Sequence, residues 1–162
     1  MTTELSDLYQ ELILDHYRRP RNRGKLDDAN CTAEGDNPLC GDHVTIFLKV
    51  KDGKIEDISF EGSGCAISTA SASIMTETLK GKTLDEAKEI FKTVHRMLTG
   101  EQGEFHEDPK LGKLEVFSGV CQYPARVKCA TLAWHTVDAA LNQESDVVTT
   151  EEQEHRDRKQ VT

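Results

Sequence analysis

Three of the five cysteines in this chain of 162 residues stand where a thiol readily becomes a ligand or a nucleophile. Cys40 lies in "NPLCGD", beside Gly41 and two residues before Asp42, at the mouth of the alternating run "HVTIFLKV". On an extended segment residues two apart project to the same side, so Cys40 and Asp42 are expected to reach one ion together, with Gly41 letting the backbone bend between them. Cys65, in "GSGCAIS", follows Gly62 and Gly64 and precedes a helical pattern, whose free amides and positive end favour a thiolate. Cys129 comes early in "PARVKCATLAWHTVDAAL", next to Lys128 and one turn after Arg126, and these cations favour a thiolate too.

Three such thiols and one carboxylate make a full tetrahedral set for zinc, and also a cradle for an iron–sulfur cluster. The spacing between them is long, so this is not a CxxC knuckle. Against the ligand reading stands the commoner fate of a free cysteine, which is to be a small buried hydrophobe. That reading is preferred for Cys31 and Cys121, which lack a glycine or helix-start setting, although Cys121 is near enough to Cys129 in sequence to substitute for it. The histidines rank lower. His43 follows Asp42 directly and points to the opposite face of a strand. His95 and His135 fall inside helical patterns and read as structural, His106 and His155 as solvated, and His16 as core or docking surface.

The elements that must position these groups are marked by periodicity and punctuation. "LSDLYQELILDHYRRP" is an amphipathic helix with Leu5, Leu8, Leu12 and Ile13 at helical spacing, closed by Pro20. The stretch from Arg21 to Asp42, dense in Gly, Asn, Asp and Pro, reads as loop or short extended structure. "HVTIFLKV" and "KIEDISFEGSG" alternate on either side of "KDGK", a hairpin signature. Three helices follow: one full of Ala and Ser after Cys65, one capped by Thr83 and stopped at Gly100, and one with Pro124 in its first turn. Strands early and helices late predict an α+β domain, a small antiparallel sheet covered on one face by helices. The domain is expected over residues 1–142, followed by a charged, disordered tail over 143–162.

Composition narrows the function classes. With 36% hydrophobic and 30% charged residues, the chain has a modest core and a well-solvated surface. A formal charge of −9 argues against nucleic-acid binding, and the basic patch "HYRRPRNRGK" reads as a docking or solvated segment. The N-terminus has no apolar signal region, and no apolar run approaches the roughly 20 residues of a membrane span. A cytoplasmic location is therefore expected, where thiols stay reduced and an odd number of cysteines need not pair.

The motifs also resemble a known family. "LYQELILDHYRRPRNRG", "NPLCGD", "FEGSGCAISTASASIMTE", "GKTLDEA" and "YPARVKCATLAW" occur in order over residues 5–141. They are similar to the motifs of the IscU/SufU (NifU N-terminal-like) family of iron–sulfur biogenesis proteins, and most similar to its SufU branch. Two features carry the branch: Lys128 stands where an IscU-like sequence would have a histidine before the last cysteine, and residues 96–114 resemble an insertion typical of SufU. Cys121 and the acidic tail are outside the pattern. The resemblance implies a three-stranded sheet, and zinc held by Cys40, Asp42, Cys65 and Cys129. It further implies a zinc-dependent sulfurtransferase that takes sulfur from the persulfide of a SufS-type cysteine desulfurase onto Cys40, with Arg126 and Lys128 in support. Downstream Suf scaffold proteins would receive it. The rival expectation is a scaffold that assembles and transfers a [2Fe–2S] cluster on the same ligands. A third is a purely structural zinc domain, for which Asp42 is an odd choice because closed structural sites favour Cys and His.

Overall fold

The structure is a computed structural model, and it describes residues 3–38, 41–99, 112–118, 120, 123–142 and 148–149. The elements run α1 (Thr3–Arg18), β1 (Cys31–Asn37), β2 (Asp42–Lys51), β3 (Lys54–Ser63), α2 (Ala66–Leu79), α3 (Leu84–Thr99), a short 3₁₀ helix (Gly112–Phe117), α4 (Pro124–Leu141) and β4 (Val148–Thr149).

β2 and β3 form the expected hairpin. Asp52 (φ 53°) and Gly53 (φ 74°) both take the left-handed conformation that a two-residue turn needs to match the strand twist. Val44, Ile46 and Leu48 on β2 are buried at alternate positions, while His43, Thr45 and Phe47 between them face the other way. β1 pairs antiparallel with β2, from Cys31 opposite Leu48 to Asn37 opposite Asp42. The strand lies in a stretch where the sequence signals loop, because its inward residues are Ala33, Gly35 and Asn37 rather than large apolar ones. Helix α4 explains the small side chains. A Cβ on Gly35 would come within 2.1 Å of Thr136 Oγ1 and 3.1 Å of Leu132 Cδ1, so the helix lies almost on the strand backbone.

The sheet order is β3-β2-β1-β4, three antiparallel strands plus the two-residue β4, which pairs in parallel with Gly35 and Asp36. Val148 and Thr149 belong to the stretch read from the sequence as a charged tail; its other residues lie outside those described.

Helices α2 and α4 cover one face of the sheet. Each is buried on most of its circumference, which is why α2 carries small residues: Ala70, Ser71, Ala72 and Ser73 are all buried. The Ser71 hydroxyl donates to the Ala130 carbonyl (2.6 Å) and accepts the Trp134 indole N–H (3.2 Å), tying α2 to α4 through satisfied polar groups. α1 packs on α2 and α3 on α4. This is the α+β arrangement expected, a three-stranded antiparallel sheet with helices against one face. No described helix is long and apolar enough to cross a membrane.

Candidate metal centre

The end of the sheet where β1 turns into β2 is also where the N-terminus of α2 and the first turns of α4 arrive. Asp42 opens β2, Cys65 is the N-cap of α2, and Cys129 lies in the second turn of α4. One donor atom from each, a carboxylate oxygen and two sulfurs, lies within 4.8 Å of the other two. A tetrahedral ion with metal–donor bonds of about 2.0–2.3 Å holds its donors about 3.3–3.8 Å apart, so a small inward movement would bring all three onto one ion. Among the described residues this is the one group of three or more such donors.

Local structure fixes each donor. Asp42 is 1% exposed, and its Oδ1 accepts the Cys65 backbone N–H at 2.8 Å. Its Oδ2 lies 3.9 Å from Cys65 Sγ. Gly64 permits that approach, since a Cβ there would stand 2.8 Å from Asp42 Oδ1. Cys65 adopts extended backbone, and its sulfur accepts the Ser68 N–H at 3.4 Å, replacing the usual Ser or Asp cap of a helix. The thiol is exposed, whereas Cys129 is 4% exposed, so the centre has a closed floor and an open mouth.

Asn37, not singled out in the sequence within its loop or short extended stretch, belongs to this site. It is fully buried, and its Nδ2 faces Asp42 Oδ2 at 3.4 Å and Cys129 Sγ at 3.6 Å. The available signal was its place immediately before the "PLCGD" turn. Gly41 has φ 70°, and its N–H donates to the Asn37 carbonyl at 2.9 Å, so the chain bends at Gly41 as it enters Asp42. Cys40 lies outside the described residues, as do Cys121, His106 and His155.

The donor set fits a cation. Two thiols and a buried carboxylate converge, and among the described residues the hydrogen bonds reaching Asp42 come from neutral groups, the Cys65 amide, the Asn37 carboxamide and, at 3.9 Å, the Cys65 thiol. A charge placed there would answer the carboxylate that these dipoles only partly compensate. The remaining candidates fall elsewhere. Arg126 is exposed one turn before Cys129, and Lys128 is half-buried beside it. His43 turns away from the centre, as its strand position requires, and pairs with Asp36 (Nδ1–Oδ1 2.6 Å). His95 and His135 pack with Phe91 in an aromatic cluster, and Cys31 packs half-buried at the edge of the core.

Known proteins share this architecture. The NifU-like N terminal domain family matches residues 8–143. The chain is 41% identical over 140 residues to a protein of Bacillus subtilis named zinc-dependent sulfurtransferase SufU, covering 86% of this chain and 93% of that one. It is 44% identical over 134 residues to the iron-sulfur cluster assembly scaffold protein IscU of Thermotoga maritima, covering 83% and 92%. The crystal structure of a SufU from Fervidobacterium islandicum superimposes with a TM-score of 0.76 at 38% identity, over 86% of this chain and 99% of that one. With the family model matched over residues 8–143 and relatives of more than 40% identity covering over four fifths of the chain, the chain belongs to the IscU/SufU family of iron–sulfur cluster assembly proteins, the family of the NifU-like N terminal domain.

Proposed function

We propose that this chain is a platform on which an iron–sulfur cluster is built and from which it is passed on, with Cys40 joining Asp42, Cys65 and Cys129 as the fourth donor. The observation that carries the reading is the convergence of three donors from three different elements at a centre with a closed floor and an open mouth. Buried Asp42 and Cys129 would hold cargo from below, while exposed Cys65 leaves a side from which a recipient can take it. One oxygen donor among thiolates suits transfer, because iron holds a hard carboxylate less firmly than a soft thiolate. Relatives such as the Thermotoga protein are named as scaffolds, in keeping with this role.

A second reading is favoured by specific features. The three donors are compact enough for a single ion. Lys128 precedes the last cysteine, and the Bacillus relative is named a zinc-dependent sulfurtransferase. On this reading the chain accepts sulfur from a SufS-type cysteine desulfurase and hands it to downstream Suf scaffold proteins. Zinc bound here would keep the cysteines deprotonated. The Cys40 thiolate attacks the outer sulfur of the partner's persulfide, forming a new S–S bond as the old one breaks and the partner's thiolate leaves; no external oxidant or reductant is consumed. Arg126 and Lys128 would steady the anionic persulfide.

Anaerobic purification without added metal, followed by assay of zinc, iron and acid-labile sulfide per chain, separates the two. Iron and sulfide in equal amounts with little zinc support the scaffold. One zinc with neither iron nor sulfide supports the relay, and Cys40→Ala should then abolish sulfur acceptance while leaving the site partly occupied by zinc. Full sulfur acceptance by that variant would sink the relay reading.

A further inference from the structure

Asn37 occupies the junction of everything the centre depends on. It is the last residue of β1, fully buried, and directly opposite Asp42 in the β1–β2 register. Its carboxamide Nδ2 reaches donors on two other elements, Asp42 Oδ2 on β2 at 3.4 Å and Cys129 Sγ on α4 at 3.6 Å. Its backbone carbonyl accepts the Gly41 N–H at 2.9 Å, just before Asp42. One residue therefore spans two donors with its side chain and accepts the N–H of the residue that leads into one of them with its main chain.

The chemistry of an amide suits that position. A carboxamide carries two N–H donors on a neutral group, so it stabilises a carboxylate and a thiolate without cancelling the charges a cation needs. The opposite amide orientation would set a carbonyl oxygen against the Asp42 carboxylate and against the Cys129 sulfur lone pairs that a metal would use. An N–H donated to a thiolate draws electron density from the sulfur and weakens its donation to a metal, and such outer hydrogen bonds orient the donors as well. Asp42 is thereby held at both oxygens, Oδ1 by the Cys65 amide and Oδ2 by Asn37.

We infer that Asn37 is a positioning residue of the metal centre, whose amide bridges Asp42 and Cys129 and sets the donor strength of the Cys129 sulfur and the rate at which metal leaves. The inference rests on the metal reading proposed above and extends it to a residue outside the donor set. The alternative is that Asn37 only fills a polar corner of the core.

Cobalt(II) is the probe, because its thiolate charge-transfer band reports sulfur donation directly. Asn37→Asp keeps the side chain's size but replaces the donor with a carboxylate, Asn37→Ala removes it, and Asn37→Ser returns a single hydroxyl donor. Ile74→Val, a cavity elsewhere in the core, serves as a control for general destabilisation. Melting of the metal-free proteins, the cobalt band and the rate of cobalt loss to a chelator are measured for each. The expectation is a band moved to longer wavelength in Asn37→Ala and Asn37→Asp, because both lose the N–H on sulfur, and metal loss at least about tenfold faster in Asn37→Ala, because the loss of donor orientation outweighs the stronger sulfur donation. The added carboxylate of Asn37→Asp attracts the cation and offsets that loss, Asn37→Ser recovers part of both readouts, and Ile74→Val changes neither. A wild-type band and release rate in the Asn37 variants, or the same changes in Ile74→Val, would overturn the positioning role while leaving the metal reading intact. A wild-type protein that takes up no cobalt would overturn both.

Discussion

A buried carboxylate answered, among the described residues, by neutral dipoles alone is a costly arrangement, and Asp42 is one. Hydrogen bonds to an ion recover part of the hydration lost on burial, and a cation supplies the rest. The purely structural reading and the functional ones therefore part company at this residue. If metal handling is the purpose of Asp42, then Asp42→Ala removes a donor whose burial stabilises little in the metal-free state. The expected outcome is a metal-free melting temperature within a few degrees of wild type, together with loss of most bound metal after anaerobic purification. A metal-free variant that fails to fold would instead make Asp42 a structural group. Gly64→Ala tests the same geometry more gently. Its Cβ would press on Asp42 Oδ1 and approach Ser68 Oγ (3.2 Å), so metal content should fall while the fold survives.

Helix packing on the sheet accounts for the element that the sequence conceals. Strand β1 lacks an apolar stripe because α4 sits too close for one, and its inward Ala33, Gly35 and Asn37 look like loop composition when read along the chain. The hairpin, the capped helices and the proline-led last helix were legible because each carries a local signal, such as Asp52-Gly53, Thr83 with the Glu86 amide, or Pro124. β1 carries a tertiary signal, and only the facing helix reveals it. Gly35→Ala puts this account to the test. The added methyl meets Thr136 Oγ1, which is itself held by a 2.7 Å bond to the Leu132 carbonyl and cannot swing away freely. Overpacking of this kind costs about 1–3 kcal/mol, a fall of about 2–4 °C in melting temperature for each kcal/mol in a chain of this size. Adding Thr136→Ala should recover part of the loss, because the two positions share one contact. An unchanged melting temperature for Gly35→Ala alone would mean that α4 can lift from the strand.

At the scale of the whole molecule, the centre was legible as a set of residue types and illegible as a place. Nothing in the spacing of Asp42, Cys65 and Cys129 says that a strand start, a helix cap and a helix interior meet; the motif resemblance indicated it, and the fold brings these three together. The first helix is attached by a comparable long-range device. His16 on α1 is fully buried against α2, with Nδ1 2.7 Å from Ser73 Oγ. Since that hydroxyl oxygen already accepts the Arg21 backbone N–H (2.9 Å), the arrangement suits a hydroxyl hydrogen donated to a neutral imidazole. The other ring nitrogen, Nε2, is buried without a hydrogen-bond partner among the described residues, so a charged imidazolium would find little to compensate it there. Burial is the main cause that holds the His16 pKa below its ordinary value; Arg21 and, more weakly, Lys113 act in the same direction, and Glu77 and Asp15 oppose them.

The consequence for stability has a definite sign. In the unfolded chain His16 takes up a proton as pH falls through about 6.5, whereas in the folded chain it resists until lower pH. The unfolded state thus binds more protons in that interval. The contribution of His16 is present above about pH 6.5 and is lost as pH falls towards the folded-state value. Asp15, held at about 2 by its bonds to Arg21 and Arg19, stays ionised across this interval in the folded protein and does not confuse it. The measurement belongs on metal-free protein, because acid also protonates metal-binding thiols. Between about pH 7 and about pH 5, wild type should lose stability more steeply than His16→Gln, which has no proton to gain and can still accept a hydrogen bond from Ser73. The variant should be less stable at pH 7, and the gap should narrow as pH falls. Parallel slopes for the two proteins would show that His16 takes up its proton as readily folded as unfolded, and that α1 is docked by something other than a neutral, buried imidazole.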